Sequence, residues 1–417
     1  MIILATILSG LSLLMSVLLV VNLKSPLGII FWFPKLIAGA LSLIWAILGA
    51  AGSVIGWAYG ARWAIPMGII GAGVMLWYIW RSARNHNGFE DAFGAGWKDQ
   101  IPPQQAKYMV KRRWSFYLKL NASPEPIWER DIPFWTIPGT DRQLLCDIWR
   151  PADGVTSGLV FVYFHGSGWY LFDKDYGTRP FFRHLVAQGH TVMDVAYRLC
   201  PEVDIYGMMG DVKRAIAWMK ANASRYGVNP EKIVLGGGSA GGHLALLAGY
   251  TPQNPELTPE DLKSADLSVC GVATHYGPTD LLAMYQHTNQ QVFVGQPYVS
   301  VAPESKRSMQ DAGRLDMLLG GHPRDVPDKY QLASPPAHVD SDCPPTLLFH
   351  GNHDVLVPAD STSALHAKLV ESGVPAIKVV FPWTDHGFDL IFPQISPPAQ
   401  SALYDVDRFL ALLNNME

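Results

Sequence analysis

A serine set among glycines is the residue of this sequence best placed to do chemistry. Residues 232–245 read K-I-V-L-G-G-G-S-A-G-G-H-L-A, an apolar run passing through Gly237-Gly238-Ser239-Ala240-Gly241 into a helical pattern. A serine on a sharp strand-to-helix turn presents its hydroxyl for attack, and small neighbours leave room for so tight a turn. The hydroxyl alone is a weak nucleophile, so it needs a base to take its proton and an acid to orient that base. Two later apolar runs end in suitable groups. Residues 346–350 lead into Gly351-Asn352-His353-Asp354, and residues 377–381 lead towards Trp383-Thr384-Asp385-His386-Gly387-Phe388. The order serine, acid, histidine makes Ser239, Asp354 and His386 the candidate catalytic set. In it His386 accepts the serine proton while Asp354 fixes the imidazole tautomer and stabilises its charged form. Asp385 and Asp360 are rival acids. His243, His350 and His353 are expected to be packing residues, and the spacing of His350, His353 and Asp354 matches no metal-ligand pattern. Neither a metal nor a cofactor is expected.

Attack on a carbonyl builds negative charge on its oxygen, which must meet fixed donors. Phe164-His165-Gly166-Ser167-Gly168-Trp169 follows an apolar run upstream of Ser239. Its Gly166, Ser167 and Gly168 backbone, together with the amide of Ala240, forms the expected oxyanion hole; an ordinary β-turn is the plainer alternative. Trp169 and Tyr170 are expected to form an aromatic lip of a substrate pocket.

Those residues need elements to hold them. Residues 127–137 and 143–149 read as a hairpin turning at Pro138-Gly139-Thr140-Asp141. Short β-rich runs follow at 158–164, 190–197, 232–235, 271–276, 346–350 and 377–381, separated by amphipathic stretches. The plainest is 211–226, where Val212, Ala215, Ile216, Met219 and Ala223 recur at helical spacing. Near-continuous apolar strands alternating with helices predict an α/β fold, a parallel sheet covered on both faces. The interval 277–345 is too long for a simple connection. With Tyr285, Phe293, Tyr298 and Met317, the insertion at about 278–345 is expected to be a lid or pocket element.

Taken together, His165-Gly166-Ser167-Gly168, Tyr197-Arg198-Leu199-Cys200-Pro201-Glu202, Gly237-Gly238-Ser239-Ala240-Gly241-Gly242, Asp354 and His386-Gly387-Phe388 carry a specific likeness. This part of the chain, roughly residues 125–415, resembles the hormone-sensitive-lipase-like branch of α/β-hydrolases and related carboxylesterases. The resemblance implies an eight-stranded α/β-hydrolase sheet with a cap, and hydrolysis of carboxylic esters through an acyl-enzyme. Ser167 stands where that branch usually has the middle of three glycines, and Gly238 where it usually has an acidic residue. The oxyanion loop is also similar to that of kynurenine-formamidase-like and feruloyl-esterase-like relatives. An amidase or formamidase with the same triad is therefore a competing expectation. A catalytically silent binding protein of the same shape is a third, against which both nucleophile and base are retained.

The first 80 residues are of another kind. They hold no Asp or Glu, and their only Lys or Arg residues are Lys24, Lys35 and Arg62. Residues 1–21, 36–59 and 63–80 carry no Asp, Glu, Lys or Arg, and each is near the ~20 residues that span a bilayer. The first lacks the basic start of a signal peptide and is followed by more apolar sequence. Gly39, Gly49, Gly52 and Gly56 would permit close helix contact. Residues 1–84 are thus expected to be a transmembrane region of about three spans. Residues 85–125 read as a connector with a basic, aromatic helical element leaning on the enzyme or the membrane interface, and 126–417 as the catalytic domain. Lys24, Lys35, Arg81 and Arg84 flank one side of the membrane and Arg62 the other, which predicts a cytoplasmic catalytic domain and unmodified Asn121-Ala122-Ser123 and Asn222-Ala223-Ser224 sequons. A net charge of −4 with no basic stripe excludes nucleic acid as a partner. The expected partners are a lipophilic ester and membrane lipid. Cys146, Cys200, Cys270 and Cys343 are expected to be free thiols.

Overall fold

The computed structural model describes residues 1–117, 125–152, 154–290 and 314–416. The Asn121 sequon and the insertion's Phe293 and Tyr298 lie outside the described residues. Helices α1 (Ile2–Val20), α3 (Ser42–Tyr59) and α4 (Ala64–Ala83) pack together as a bundle. Small residues allow this approach: a Cβ on Gly49 or Gly71 would lie 2.5 Å from the Ser12 hydroxyl oxygen, so the helix backbones meet where a larger side chain would hold them apart. Three helical stretches, Ile2–Val20, Ser42–Tyr59 and Ala64–Phe93, are long and apolar enough to cross a membrane.

The expected second apolar stretch is divided differently. Residues read as a loop form α2 (Leu27–Ala40), and α3 begins only at Ser42. Lys35, expected on a solvent-facing flank, is buried within α2 at 3% exposure. Its charge can be buried because the Asp385 carboxylate faces it at 3.8 Å.

Among its described residues the connector holds α5 (Gly88–Phe93), a 3-10 turn at Trp97–Gln100 and α6 (Pro103–Ala106), in place of the one basic helix expected. Arg113 is buried, and its guanidinium binds both carboxylate oxygens of Asp405 at 2.5 and 2.8 Å. The connector therefore packs against the C-terminal segment at Asp405, where a bidentate pair outweighs exposure of the arginine to water.

Eight strands form one sheet: β1 (Ile127–Thr136), β2 (Gln143–Arg150), β3 (Val160–Phe164), β4 (Thr191–Val195), β5 (Ile233–Gly238), β6 (Gly271–His275), β7 (Thr346–Gly351) and β8 (Ala376–Phe381). Their order is β1-β2-β4-β3-β5-β6-β7-β8. The β1–β2 hairpin and the β2–β4 pair are antiparallel; all other pairs are parallel. Successive residues of β3 show why the strand reads as continuously apolar: Val160, Val162 and Phe164 enter one core, Phe161 and Tyr163 the other. Helices α7 (Arg179–Ala187), α8 (Ile205–Ala221), α9 (Ala240–Tyr250), α13 (Ala359–Glu371) and α14 (Pro397–Asn415) cover the two faces. The side of α8, α9 and α13 carries the larger core, and α7 and α14 close the other with Phe182 and Phe409. Between β6 and β7 the insertion contributes α10 (Leu281–Gln290), α11 (Leu315–Leu318) and α12 (Pro327–Leu332). Cys146, Cys200, Cys270 and Cys343 form no disulfide with one another.

Candidate active site

β5 ends at Gly238 and α9 begins at Ala240, so Ser239 stands alone at the turn between them. Its φ of +54° and ψ of −124° belong to a region that side-chain-bearing residues rarely occupy. Two backbone bonds hold it there. The Ser239 N–H donates to the His275 carbonyl at the end of β6 (2.9 Å), and the Ser239 carbonyl accepts from the His243 N–H in α9 (3.0 Å). The glycines around it are sterically required. A Cβ on Gly237 would lie 2.6 Å from the Phe164 carbonyl oxygen, and one on Gly241 would lie 2.6 Å from that of His165 and overlap that of Phe164. The end of β3 passes directly over the elbow.

Gly238 has a separate reason. A Cβ there would come 3.3 Å from the ring and hydroxyl of Tyr276, which fills the space beside the serine. The Tyr276 ring lies 4.3 Å from that of His386, and its hydroxyl donates to Asp389 at 2.5 Å. One aromatic side chain thus lies beside both the Ser239 turn and the His386 ring.

His386 and Asp354 come together from the loops after β8 and β7, with His386 Nδ1 2.8 Å from Asp354 Oδ2. The carboxylate is fully buried, at 0% exposure. Its Oδ1 accepts the backbone N–H groups of Leu356 (2.9 Å) and Val357 (2.8 Å). His350 Nε2 lies 3.1 Å from Oδ2, and its Nδ1 is 2.7 Å from the Thr362 hydroxyl. Burial by itself would raise the Asp354 carboxyl, but the facing His386 and the bonds from His350 and His386 hold it below the usual carboxylate range. Among the described residues Ser239 and His386 share no hydrogen bond; such contacts are often loose until substrate is bound.

The rival acids have other positions. Asp385 Oδ1 accepts the main-chain N–H groups of His386 (2.8 Å) and Val355 (2.9 Å) and does not bond the imidazole. Burial pushes its carboxyl up to about 6, aided by the nearby Asp354 charge and opposed by those bonds and by Lys35. Asp360 is exposed in the first turn of α13. His243 is a packing residue, bonded to Trp169 and the Ala333 carbonyl.

Gly166 lies over the elbow, where a Cβ would be 3.4 Å from that of Ser239. The Ser167 hydroxyl accepts the Trp169 N–H (2.9 Å) and meets the Tyr197 hydroxyl (2.8 Å), which donates to the His165 carbonyl (2.7 Å). The serine thus braces its own loop. Among the described residues, the N–H groups of Gly166, Ser167 and Gly168 donate to no protein acceptor. Trp169 and Tyr170 are not an open lip. Both are buried, at 1% and 0% exposure. Trp169 Nε1 donates to His243 and Tyr170 Oη to the Arg314 carbonyl, so each ring can sink into the core with its polar atom satisfied. A crevice between α7 and α14, lined by Tyr163, Phe181, His275 and Asp389, includes none of Ser239, Asp354 or His386.

Sequence reasoning missed four neighbours of this site: His350 and Tyr276, and Trp32 and Lys35 of α2. Trp32 Nε1 donates to the His386 carbonyl (2.8 Å), and Lys35 Nζ lies 3.0 Å from His353 Nδ1. Tyr276, Trp32 and Lys35 reach the site across long sequence intervals that no local pattern announces, whereas His350 stands four residues before Asp354, a spacing at which the sequence offered a signal.

A mostly parallel eight-stranded sheet, with a serine elbow after β5 and a histidine–aspartate pair after β8 and β7, defines an α/β-hydrolase. The BD-FAE family matches residues 146–369, and the chain belongs to that family. It is 30% identical to esterase LipQ of Mycobacterium tuberculosis over 73% of this chain and 69% of LipQ. It is 31% identical to the probable carboxylic ester hydrolase LipM of the same organism, over 64% of this chain and 57% of LipM. A thermophilic esterase from Thermogutta terrifontis, solved with propionate bound, superposes with a TM-score of 0.53 at 25% identity, covering 69% of this chain and 94% of that one. The chain is a carboxylic ester hydrolase.

Proposed function

We propose that this protein is a membrane-anchored serine esterase that cleaves lipophilic carboxylic esters through an acyl-enzyme. The observation that carries the triad is the 2.8 Å contact of His386 with buried Asp354 beside the strained Ser239 elbow. Ser239 Oγ attacks the ester carbonyl carbon and its proton passes to His386 Nε2, while Asp354 stabilises the imidazolium. The amides of Gly166, Ser167, Gly168 and Ala240 are the donors proposed for the oxyanion, with Ala240 opening α9. Collapse of the tetrahedral intermediate expels the alcohol, protonated by His386. Water then repeats the sequence on the acyl-enzyme, releasing the acid and restoring Ser239.

Residues 1–84 serve as the anchor in this reading, 85–125 as the connector and 126–417 as the catalytic domain. With three spans, Lys24, Arg81 and Arg84 would flank the same side of the membrane as residues 126–417 and Arg62 the other, which favours a cytoplasmic enzyme. Lys35 is paired inside the protein and counts less than a free flank charge. The deciding experiment compares wild type with Ser239→Ala, using a p-nitrophenyl ester, a matched anilide and a fluorophosphonate probe. Loss of ester cleavage and of labelling in the variant supports the reading. Retained labelling refutes the nucleophile, and faster cleavage of the anilide moves the activity to amides.

A further inference from the structure

The N-terminal helices do not merely tether the enzyme; they grip the loop that carries His386. The side chains or main chain of residues 383–386 each meet α2 or α4. Trp383 packs against Trp77 with ring centroids 4.2 Å apart and planes tilted by 31°. The Thr384 hydroxyl lies 3.1 Å from that of Tyr78. Asp385 Oδ2 faces Lys35 Nζ at 3.8 Å, and the His386 carbonyl accepts the indole N–H of Trp32 at 2.8 Å. Lys35 also reaches the acid's loop through His353, whose main-chain N–H donates to the Thr384 carbonyl at 3.0 Å. The third Lys35 contact, to the Val21 carbonyl at 3.2 Å, ties this cluster to the end of α1.

This is more attention than a tether needs. A loop of an enzyme that folded independently would satisfy its own polar groups. Here the carbonyl of the proposed base and the carboxylate that binds its N–H both find partners on a helix over 300 residues away in sequence. Lys35 and Asp385 are each about 3% exposed, so neither can exchange its partner for water without opening the contact.

We propose that Trp32 and Lys35 are positioning residues for His386, so that the docked membrane region completes the catalytic site. The proposal rests on Ser239, Asp354 and His386 being the triad. Trp32 fixes the His386 main chain from its carbonyl side. Lys35 keeps Asp385 in place to hold the His386 and Val355 N–H groups, and so keeps the imidazole and the acid's loop in register. Catalysis is sensitive to such placement, since a shift of about 1 Å in a reacting group can lower a rate ~100-fold.

The charged and titratable groups facing Asp385 are Asp354 and His353 from the loop after β7, His386 from its own loop, and Lys35 from α2, with Lys24 acting on Lys35. Lys35 lowers the Asp385 carboxyl, which burial has raised to about 6. Removing the lysine raises it further, so Asp385 becomes protonated at a higher pH and holds its two N–H donors less firmly. The acid limb of kcat should then move to higher pH, a change that general loosening would not produce.

The test uses the full chain in detergent, with Lys35→Met, Lys35→Arg, Trp32→Phe and Ser239→Ala assayed on p-nitrophenyl butyrate across pH. Lys35→Met should lower kcat ~10-fold at neutral pH with KM within ~2-fold, and shift the acid limb upward. Lys35→Arg should restore most of kcat, and Trp32→Phe, which keeps an aromatic ring but no donor, should lower it several-fold. Wild-type kcat and pH profile in both Lys35→Met and Trp32→Phe, with Ser239→Ala inactive, would overturn the positioning role and leave the triad standing. So would an equal fall in kcat at every pH that arginine does not rescue, which is a structural effect. An active Ser239→Ala would instead remove the triad on which the proposal rests.

Discussion

His350 Nε2 lies 3.1 Å from Asp354 Oδ2, the oxygen that also meets His386 Nδ1. The acid of the proposed triad thus has a second imidazole on it, braced in turn by Thr362. Replacing His350 with Phe keeps a buried ring but removes one bond to the carboxylate. We expect kcat to fall by ~10-fold with a small change in KM, because Asp354 is then less firmly aimed at His386. Steady-state kinetics on a soluble ester measures this, and an unchanged kcat would mean that the two backbone N–H groups on Oδ1 suffice.

The same carboxylate gives a pH prediction. Asp354 titrates below its unfolded value, so its interactions contribute stability that is fully present above that value, ~3.9, and is lost as pH falls through the folded one. The unfolding midpoint should therefore decline on acidification below about pH 4, and more shallowly in Asp354→Asn than in wild type. Thermal melts at a series of pH values would show it; parallel curves would remove Asp354 as a contributor.

Gly241→Ala should be far more damaging than an exposed glycine change. Its new methyl would overlap the Phe164 carbonyl oxygen and sit 2.6 Å from that of His165. Either β3 or the elbow must move, at a cost of ~3 kcal/mol or more. A lowered melting temperature together with lost fluorophosphonate labelling is expected. Gly373→Ala has open space around it, so only its φ of +79° opposes the substitution; it should cost ~1 kcal/mol and leave labelling intact.

If the proposed function is right and the enzyme acts on lipophilic esters, longer acyl groups should be favoured. Each buried methylene contributes ~0.8 kcal/mol, so kcat/KM should rise ~4-fold per carbon, or ~15-fold for every two carbons, until the site is full. A p-nitrophenyl series from acetate to palmitate tests this. Because Trp169 and Tyr170 are buried, the prediction rests on the anchor and the insertion, and a profile falling from acetate would remove it.

Carbonate washing should leave the chain in the membrane fraction, as expected of α1, α3 and α4. If the catalytic domain is cytoplasmic, protease should reach it in vesicles with the cytosolic face outward, and Asn222 should remain unglycosylated in a eukaryotic host. Extraction by carbonate would refute anchoring, and protection from protease would refute the orientation.

The sheet and the elbow were legible in the sequence because their causes are local. Runs such as 346–350 and 377–381 announce strands by being apolar throughout, and the glycines around Ser239 announce a turn that only small residues permit. The candidate acid and base followed from their places after such strands. The sequence also marked the first 80 residues as a region apart, since they hold no Asp or Glu and only Lys24, Lys35 and Arg62 carry charge there. What it could not supply was any relation between segments far apart in the chain. Lys35 reads as a flank charge and becomes a buried partner of Asp385; Trp169 reads as a lip and becomes core. A side chain's burial and partners depend on which surfaces the fold brings together, and local spacing carries no record of that. Tertiary packing alone decided that α2 would lie against the His386 loop, where one indole and one ammonium reach the proposed catalytic machinery.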